Sequence, residues 1–156
     1  MLKKILWQVI HLLFFINPLS YWSAPKLWLL KLFGAKIGED CTIKPGVAIS
    51  SPWHLELGDY VYLDSWATIH NQSEIFIGND VYIGKGATIH TIKPKEKAHF
   101  PVIIENDVVI EARATLYGGV ICHRNSVLKI NSTAYDHLRQ DSIYQGNPAV
   151  RVGERG

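Results

Sequence analysis

A chain of 156 residues, 47% hydrophobic and 19% charged, has the composition of one globular domain and not of a disordered segment. Its two cysteines, Cys41 and Cys122, are too few for a disulfide framework and favour a reducing compartment such as the cytoplasm. The segment 1–38 holds five lysines and no acid, whereas the segment 39–156 has eleven basic against fourteen acidic side chains. The main body therefore lacks the basic stripe that is typical of a nucleic-acid-binding protein.

The chain begins with an apolar, basic arm, residues 1–36, for which the sequence predicts short helices. Asn17-Pro18 and Pro25 interrupt the apolar pattern in the way that helix boundaries do. Neither apolar run reaches the roughly 20 residues that are needed to span a bilayer. Two interpretations remain open: the helices only cap the end of the domain, or their lysines and large apolar side chains also make peripheral contact with a membrane.

A six-residue period begins at residue 37 and predicts a parallel β-helix. Aliphatic anchors recur at this spacing and should point into the shaft, and a small or β-branched residue stands four positions after many of them. The anchors are Ile37, Ile43, Ile49, Leu57, Leu63, Ile69, Ile77, Ile83, Ile89, Ile104, Ile110, Leu116, Cys122 and Leu128. This register differs from the period-two alternation of an antiparallel β-sandwich.

A longer period, which we call the coil period, relates the segment that begins at Leu57 to a similar segment that begins at Ile77. Three hexapeptides and a corner therefore make one coil. The sequence thus predicts an all-β fold with four to five stacked coils between positions 37 and 134, followed by a C-terminal segment, residues 135–156. Each coil needs its neighbour to bury its aliphatic side chains. Glycines such as Gly58 are predicted to supply the unusual backbone angles of the corners.

Four stretches carry a resemblance to a known family: the repeat itself, the start of the first coil at 32–38, residues 52–59, and the ending Gly146-Asn147-Pro148-Ala149. They resemble the hexapeptide-repeat acyltransferases, in particular the sugar O-acetyltransferases of the colanic acid and maltose acetyltransferase type. The resemblance implies a left-handed β-helix, a homotrimer, and acetyl-CoA or another acyl-CoA in a groove between subunits. It also implies transfer to a sugar hydroxyl in surface polysaccharide biosynthesis, in the cytoplasm or at the inner face of the membrane.

Acyl transfer to a hydroxyl needs a general base, and histidine is the usual one near neutral pH. The segment that begins at Ile77 is repeated only at Ile104, which is a longer spacing than one coil period. The extra residues indicate an enlarged corner loop at 91–100. Enlarged loops on rigid scaffolds often carry function, and the resemblance places the catalytic histidine in this loop. His90 at its root and His99 at its end are both candidates, and the sequence leaves the choice open.

The acceptor and the donor have candidate residues as well. His70 precedes His90 by one coil period and should stack beside it on one outer face, and Asn71 resembles an asparagine near the acceptor site of the sugar enzymes. The alternative is that both are exposed polar residues of a solvated or subunit-facing sheet. For the CoA donor, the resemblance implies contacts with the main chain and with nearby cations. The candidate residues are Ala112, Gly118, Gly119, Arg139 and Arg151.

Two other functions are compatible with the same shaft. A catalytically degenerate trimeric scaffold or binding protein would explain why the loop is short and lacks the family's Thr-His step, and why acidic Asp136 replaces a lysine. A carbonic anhydrase-like enzyme would hold zinc with three histidines from neighbouring coils and subunits, for which His70, His90 and His99 are candidates. The acyltransferase interpretation expects no metal.

Overall fold

The computed structural model describes residues 1–17 and 21–156, so the predicted boundary at Pro18 lies outside the described residues. Two helices, α1 (Leu2–Phe14) and α2 (Ser23–Leu32), precede the strands. Pro25 lies inside the first turn of α2, where proline is tolerated, and does not mark its boundary as predicted. No helix among the described residues is long and apolar enough to cross a bilayer.

The remainder forms a parallel β-helix of about five coils, which confirms the fold class predicted from the period. One sheet contains β1 (Lys36–Ile37), β4 (Leu55–Leu57), β7 (Ile75–Ile77), β12 (Val102–Ile104) and β15 (Ile121–Cys122). The second contains β2 (Thr42–Ile43), β5 (Tyr62–Leu63), β8 (Tyr82–Ile83), β13 (Val109–Ile110), β16 (Val127–Leu128), β18 (Ser142–Gly146) and β19 (Ala149–Glu154). The third contains β3 (Ala48–Ile49), β6 (Thr68–His70), β9 (Thr88–His90), β14 (Thr115–Leu116) and β17 (Thr133–Ala134). Successive coils therefore stack strand upon strand, and a short 3-10 helix, Pro52–His54, precedes β4.

The anchors point inward as predicted: from Ile43 to Leu128 each is at most 3% exposed. The small residues that follow them are buried in the corners, and the residue just before each has a left-handed backbone, as at Asp40, Tyr60 and Asp80. Gly58 was predicted to supply an unusual backbone angle, and this is wrong because its φ is not positive. A Cβ there would lie 2.3 Å from Asn79 Oδ1, so glycine is needed for the close approach of coils.

The two helices cap the open edge of the first coil with side chains. The indole N–H of Trp7 donates to Ile49 O at 2.8 Å, and Ile49 N donates to His11 Nε2 at 2.9 Å. On the neighbouring sheet, Ile43 N donates to Ser23 Oγ at 2.9 Å, and the buried ammonium of Lys26 donates to Ile43 O at 3.3 Å. Burial lowers the pKa of His11, which keeps the imidazole neutral and able to accept. Side chains thus replace the missing neighbouring strand.

The far end of the shaft is closed differently. Strand β18 continues the parallel ladder beside β16, and β19 folds back antiparallel against β18. The segment that resembles the family ending forms the turn of this hairpin, with a cis peptide bond between Asn147 and Pro148. The C-terminal segment therefore belongs to the stacked sheet and does not form a separate unit.

Candidate active site

The enlarged loop at 91–100 is an antiparallel hairpin of β10 (Ile92–Lys93) and β11 (Ala98–His99), an element that the sequence did not predict. Its neck is closed by a bond from Phe100 N to Thr91 O at 2.8 Å, and it rests on the next coil through Gly118 N to Ile92 O at 2.8 Å. A Cβ on Gly118 would lie 1.9 Å from Thr91 O. Glycine is therefore required for the hairpin to pack directly on the shaft.

Three histidines converge on one side of this hairpin. His70, His90 and His99 line a groove of about 330 Å³, the histidine groove, together with Ser50, Gln72 and Ile92. Strands β6 and β9 pair in register, which places His70 beside His90, and the hairpin brings His99 back over them. The structure thus unites the two predicted base candidates with one of the two predicted acceptor residues.

His90 is held in a ladder of stacked rings. Its ring centroid lies 5.0 Å from that of His70 and 5.1 Å from that of Tyr117, and Tyr135 continues the stack at 5.0 Å from Tyr117. We call these four residues the ring ladder. Burial lowers the pKa of His90, and the charge of neighbouring His70 lowers it further. The neutral imidazole is therefore the favoured form of His90 near pH 7.

His99 is more exposed than His90 and is oriented by a buried hydroxyl. Its Nδ1 lies 2.9 Å from Oγ1 of Thr91, which is fully buried. The same hydroxyl lies 3.3 Å from His70 O and accepts hydrogen bonds from Gln72 N and Ser73 N. An imidazole whose Nδ1–H donates to Thr91 leaves Nε2 unprotonated, which is the form that a general base requires.

The side chain of Asn71 is hydrogen-bonded to backbone groups and does not line the histidine groove. The residue is fully buried, its amide donates to Ser51 O at 2.7 Å and to His54 O at 3.2 Å, and its Oδ1 accepts from Ser51 N at 2.9 Å. Both amide protons are therefore used by backbone carbonyl groups of the preceding coil. The structure gives this side chain the role of a corner brace.

A second groove lies on the other side of the hairpin. Its volume is about 720 Å³, and its lining includes Lys93, Lys95, Tyr117, Tyr135 and Asp136. We call it the lysine groove. Lys93 forms an ion pair with Glu96 at 2.7 Å, and its ammonium lies 5.4 Å from the ring centroid of Phe100. The flat faces of the ring ladder thus continue from the histidine groove into the lysine groove.

The predicted donor residues are dispersed. Gly118 and Gly119 lie at the neck of the hairpin, between the grooves, and Gly119 N donates to Pro101 O at 3.1 Å. Ala112 lies in a corner where its backbone N closely approaches Gly84. Arg151 donates to Ser142 Oγ at 2.9 Å and pairs with Glu154. Neither Arg151 nor Arg139 lines the two grooves.

Metal ligation was the remaining alternative for the histidines. Within residues 1–17 and 21–156, no three His, Cys, Asp or Glu side chains have an arrangement that could hold a metal ion. Both cysteines are free and buried, and burial raises the pKa of each thiol. Within one chain, the described His70, His90 and His99 therefore do not form a zinc site by themselves.

No family model matches the chain, but individual proteins do. The putative colanic acid biosynthesis acetyltransferase WcaF of Escherichia coli is 31% identical over 96% of this chain and 85% of its own length. The chain belongs to the hexapeptide-repeat acetyltransferase family. This confirms the resemblance that the repeat and the chain ending carry.

Solved structures of hexapeptide-repeat acetyltransferases have the same fold. An acetyltransferase of Vibrio cholerae in complex with acetyl-CoA has a TM-score of 0.80 at 20% identity, covering 89% of this chain and 81% of its own. A maltose O-acetyltransferase of Clostridium difficile has a TM-score of 0.81 at 16% identity, covering 99% and 87%. At these identities the likeness concerns the fold.

Sequence reasoning missed three residues that line this acetyltransferase's histidine groove, Ser50, Gln72 and Ile92, and the buried Thr91 that contacts His99. Ser50 follows anchor Ile49 as His70 follows Ile69, so the coil period could have found it. Thr91 had no such signal, because its contact with His99 depends on the pairing of Ile92 with His99 across the hairpin. That pairing lies in a segment without periodicity.

Proposed function

We propose that this protein transfers an acetyl group from acetyl-CoA to a sugar hydroxyl in the biosynthesis of a surface polysaccharide. The observation that carries the proposal is the convergence of His70, His90 and His99 at the root of the family's enlarged loop. Membership of the acetyltransferase family supports the reaction type, and the name of the Escherichia coli relative supports the polysaccharide context.

We assign the general base to His99, with His90 as the competing candidate. In this assignment Nδ1 of His99 is the protonated nitrogen and donates to Thr91 Oγ1, while the Thr91 hydroxyl proton goes to His70 O. Nε2 is then free to take the proton of the acceptor hydroxyl while its oxygen attacks the thioester carbonyl. When the resulting oxyanion collapses, the C–S bond breaks, and the departing CoA thiolate takes the proton back from His99. The buried Thr91 acts on the reaction through His99 and is therefore a positioning residue. His70, which lines the same groove, is assigned to the acceptor.

The donor is assigned to the lysine groove and the hairpin neck. Lys93 and Lys95 offer cations for phosphate groups, and Tyr117 and Tyr135 offer flat apolar faces. Peptide N–H groups near the neck would stabilise the oxyanion that forms during attack. The candidates for CoA contacts across a subunit boundary remain Ala112, Gly118, Gly119, Arg139 and Arg151.

We propose a homotrimer that works in the cytoplasm or at the inner face of the membrane. Large aromatic side chains on the shaft are exposed in the single chain and would be covered by neighbouring subunits. They are Tyr60, Trp66, Phe76 and Tyr82. The two free thiols agree with a reducing compartment. Light scattering coupled to gel filtration should give three times the 17.6 kDa chain mass.

A transfer assay tests the proposal. The purified protein is incubated with acetyl-CoA and a panel of sugars, and release of the CoA thiol is followed together with the mass of the sugar. We expect acceptor-dependent thiol release and a sugar heavier by one acetyl group. Calorimetric titration with CoA separates a weak enzyme from a scaffold, since Asp136 in the lysine groove favours the latter. Absence of both binding and release would establish the scaffold.

A further inference from the structure

The face of α1 that points away from the β-helix is apolar. Trp7 and Phe15 mark the buried face, and the residues opposite them at helical spacing are all at least half exposed. The exposed residues are Leu2, Ile5, Leu6, Val9, Leu12 and Leu13. A helix that faces water normally has the reverse arrangement, with polar residues outward. A contiguous apolar stripe of this kind indicates a binding surface.

The second helical segment of the arm adds exposed tryptophans, and exposed lysines accompany both helices. Trp22 and Trp28 are 79% and 63% exposed, and Lys31 lies beside them in the same segment. Exposed lysines also occur at both ends of the arm, and the first acid in the chain is Glu39. Tryptophan and lysine beside an apolar face are the combination that interfacial helices use on anionic membranes.

The histidine groove adjoins this surface. Ser50 lines the histidine groove and also two clefts beside α1, of about 350 and 320 Å³. Gln8 lines both clefts, and Gln72 is shared by the second cleft and the histidine groove. Strands of adjacent coils are about 4.8 Å apart, so His70 in the second coil lies roughly 10 Å from the helical cap. A polar track therefore leads from the edge of α1 to the histidines.

We propose that the outer face of α1 and α2 docks on a bilayer with anionic headgroups, and that the acceptor sugar is carried by a lipid in that bilayer. The choice of acceptor rests on the proposed acetyl transfer, whereas the docking does not. Charge decides against a second copy of the chain as the occupant, because two identical faces would bring like-charged exposed lysines, such as Lys4 and Lys31, together. An anionic headgroup layer instead complements them.

Vesicle flotation tests the docking. The full-length protein is mixed with vesicles of phosphatidylcholine and phosphatidylglycerol at a 3:1 ratio, or of phosphatidylcholine alone. We expect flotation with the anionic vesicles and about a tenfold loss of binding for Leu6→Glu combined with Leu13→Glu. The matched control is Val150→Glu with Val152→Glu, exposed apolar positions at the far end of the shaft. Equal binding by both double variants, or a change of oligomeric state only in the first, would overturn the proposal.

A depth measurement tests the orientation. Fluorescent labels are placed at Gln72→Cys or at Arg124→Cys in the fifth coil, since the native thiols are buried. A nitroxide in the headgroup layer should quench the label at position 72 and leave that at position 124 unquenched. Equal quenching at both positions would contradict the proposed orientation.

Product partition tests the acceptor. Radiolabelled acetyl-CoA is supplied with the lipid extract or with the aqueous extract of the producing cells. We expect labelled product in the lipid fraction, and label only in the aqueous fraction would overturn this part of the proposal. Absence of label from both would contradict the transfer itself and leave the flotation result intact.

Discussion

The two grooves on either side of the hairpin differ in chemistry although one ring ladder connects them. The histidine groove is lined by three imidazoles and no lysine or carboxylate. The lysine groove is lined by two lysines, two acids and two phenol rings. Imidazoles suit proton transfer near neutral pH, and fixed cations suit phosphate groups. The comparison supports the proposal that the lysine groove holds the phosphate end of the donor and that its acetyl end reaches past the hairpin to the histidine groove, where proton transfer takes place.

Replacement of the base should give the largest effect and should act on one groove alone. We expect His99→Asn to lower kcat by about 10²–10⁴-fold and to leave the KM for acetyl-CoA nearly unchanged. His123→Asn, which removes a surface histidine that pairs with Glu105, is the control. If His90→Asn abolishes turnover and His99→Asn does not, the base is His90. Thr91→Ser should keep most of the activity that Thr91→Val loses.

Replacement of the glycine at the hairpin neck should damage both grooves together. In Gly118→Ala the new Cβ would meet Thr91 O at 1.9 Å, so the hairpin must shift. We expect a loss of about 1–3 kcal/mol in the free energy of unfolding, measured with denaturant, and loss of turnover. Gly153→Ala is the matched control, because nothing lies within 4 Å of a Cβ there. Equal stability of the two variants would refute the close packing.

Replacement of a lysine should act on the other groove and more weakly. We expect Lys95→Ala to raise the KM for acetyl-CoA about 2- to 5-fold at low salt, because an exposed cation contributes at most about 1 kcal/mol. The effect should shrink as salt screens the phosphates, and kcat should stay the same. Lys85→Ala, at a corner outside both linings, should leave KM unaltered. A fall in kcat in Lys95→Ala would instead contradict separate roles for the two grooves.

The smallest expected effect concerns the charge state of His90. Burial and then His70 lower its pKa, so its NMR titration midpoint should lie below the ordinary value of 6.5. His70→Asn removes the lesser cause, so the midpoint should rise but stay below 6.5, and His90 should remain neutral at pH 7. If the midpoint of His90 is the same in His70→Asn as in the unaltered protein, the two rings do not interact electrostatically.

The periodic part of the molecule could be predicted from sequence and the grooves only in outline. Spacing identifies residues that point inward, so the equivalence of Ile69 and Ile89 is enough to place His70 and His90 side by side. Spacing says nothing about a hairpin that leaves the repeat, and the contact of Thr91 with His99 depends on the register of that hairpin. Asn71 is a second case that spacing could not decide. Its position in the sequence suggested an acceptor contact, whereas in the structure its buried amide donates to backbone carbonyl groups of the preceding coil.

The arm offered two interpretations from sequence, and the structure adds contacts to the first. Capping was one of the two interpretations, and the structure makes it through single hydrogen bonds: Trp7 donates to a backbone carbonyl, and His11 and Ser23 accept from backbone N–H groups. Such bonds carry no sequence signal, because each depends on where a helix lies against one strand edge. The apolar outer stripe is visible as a helical pattern only once the buried face is known.

The side-chain cap of the first coil also sets the length of the assembly. A chain without residues 1–36 would keep its coils but expose the unpaired N–H and C=O groups of Ile43 and Ile49. A solenoid end with bare edge groups is a template on which further strands can be added. Removal of the two helices is therefore expected to let chains add end to end and to convert discrete particles into filaments.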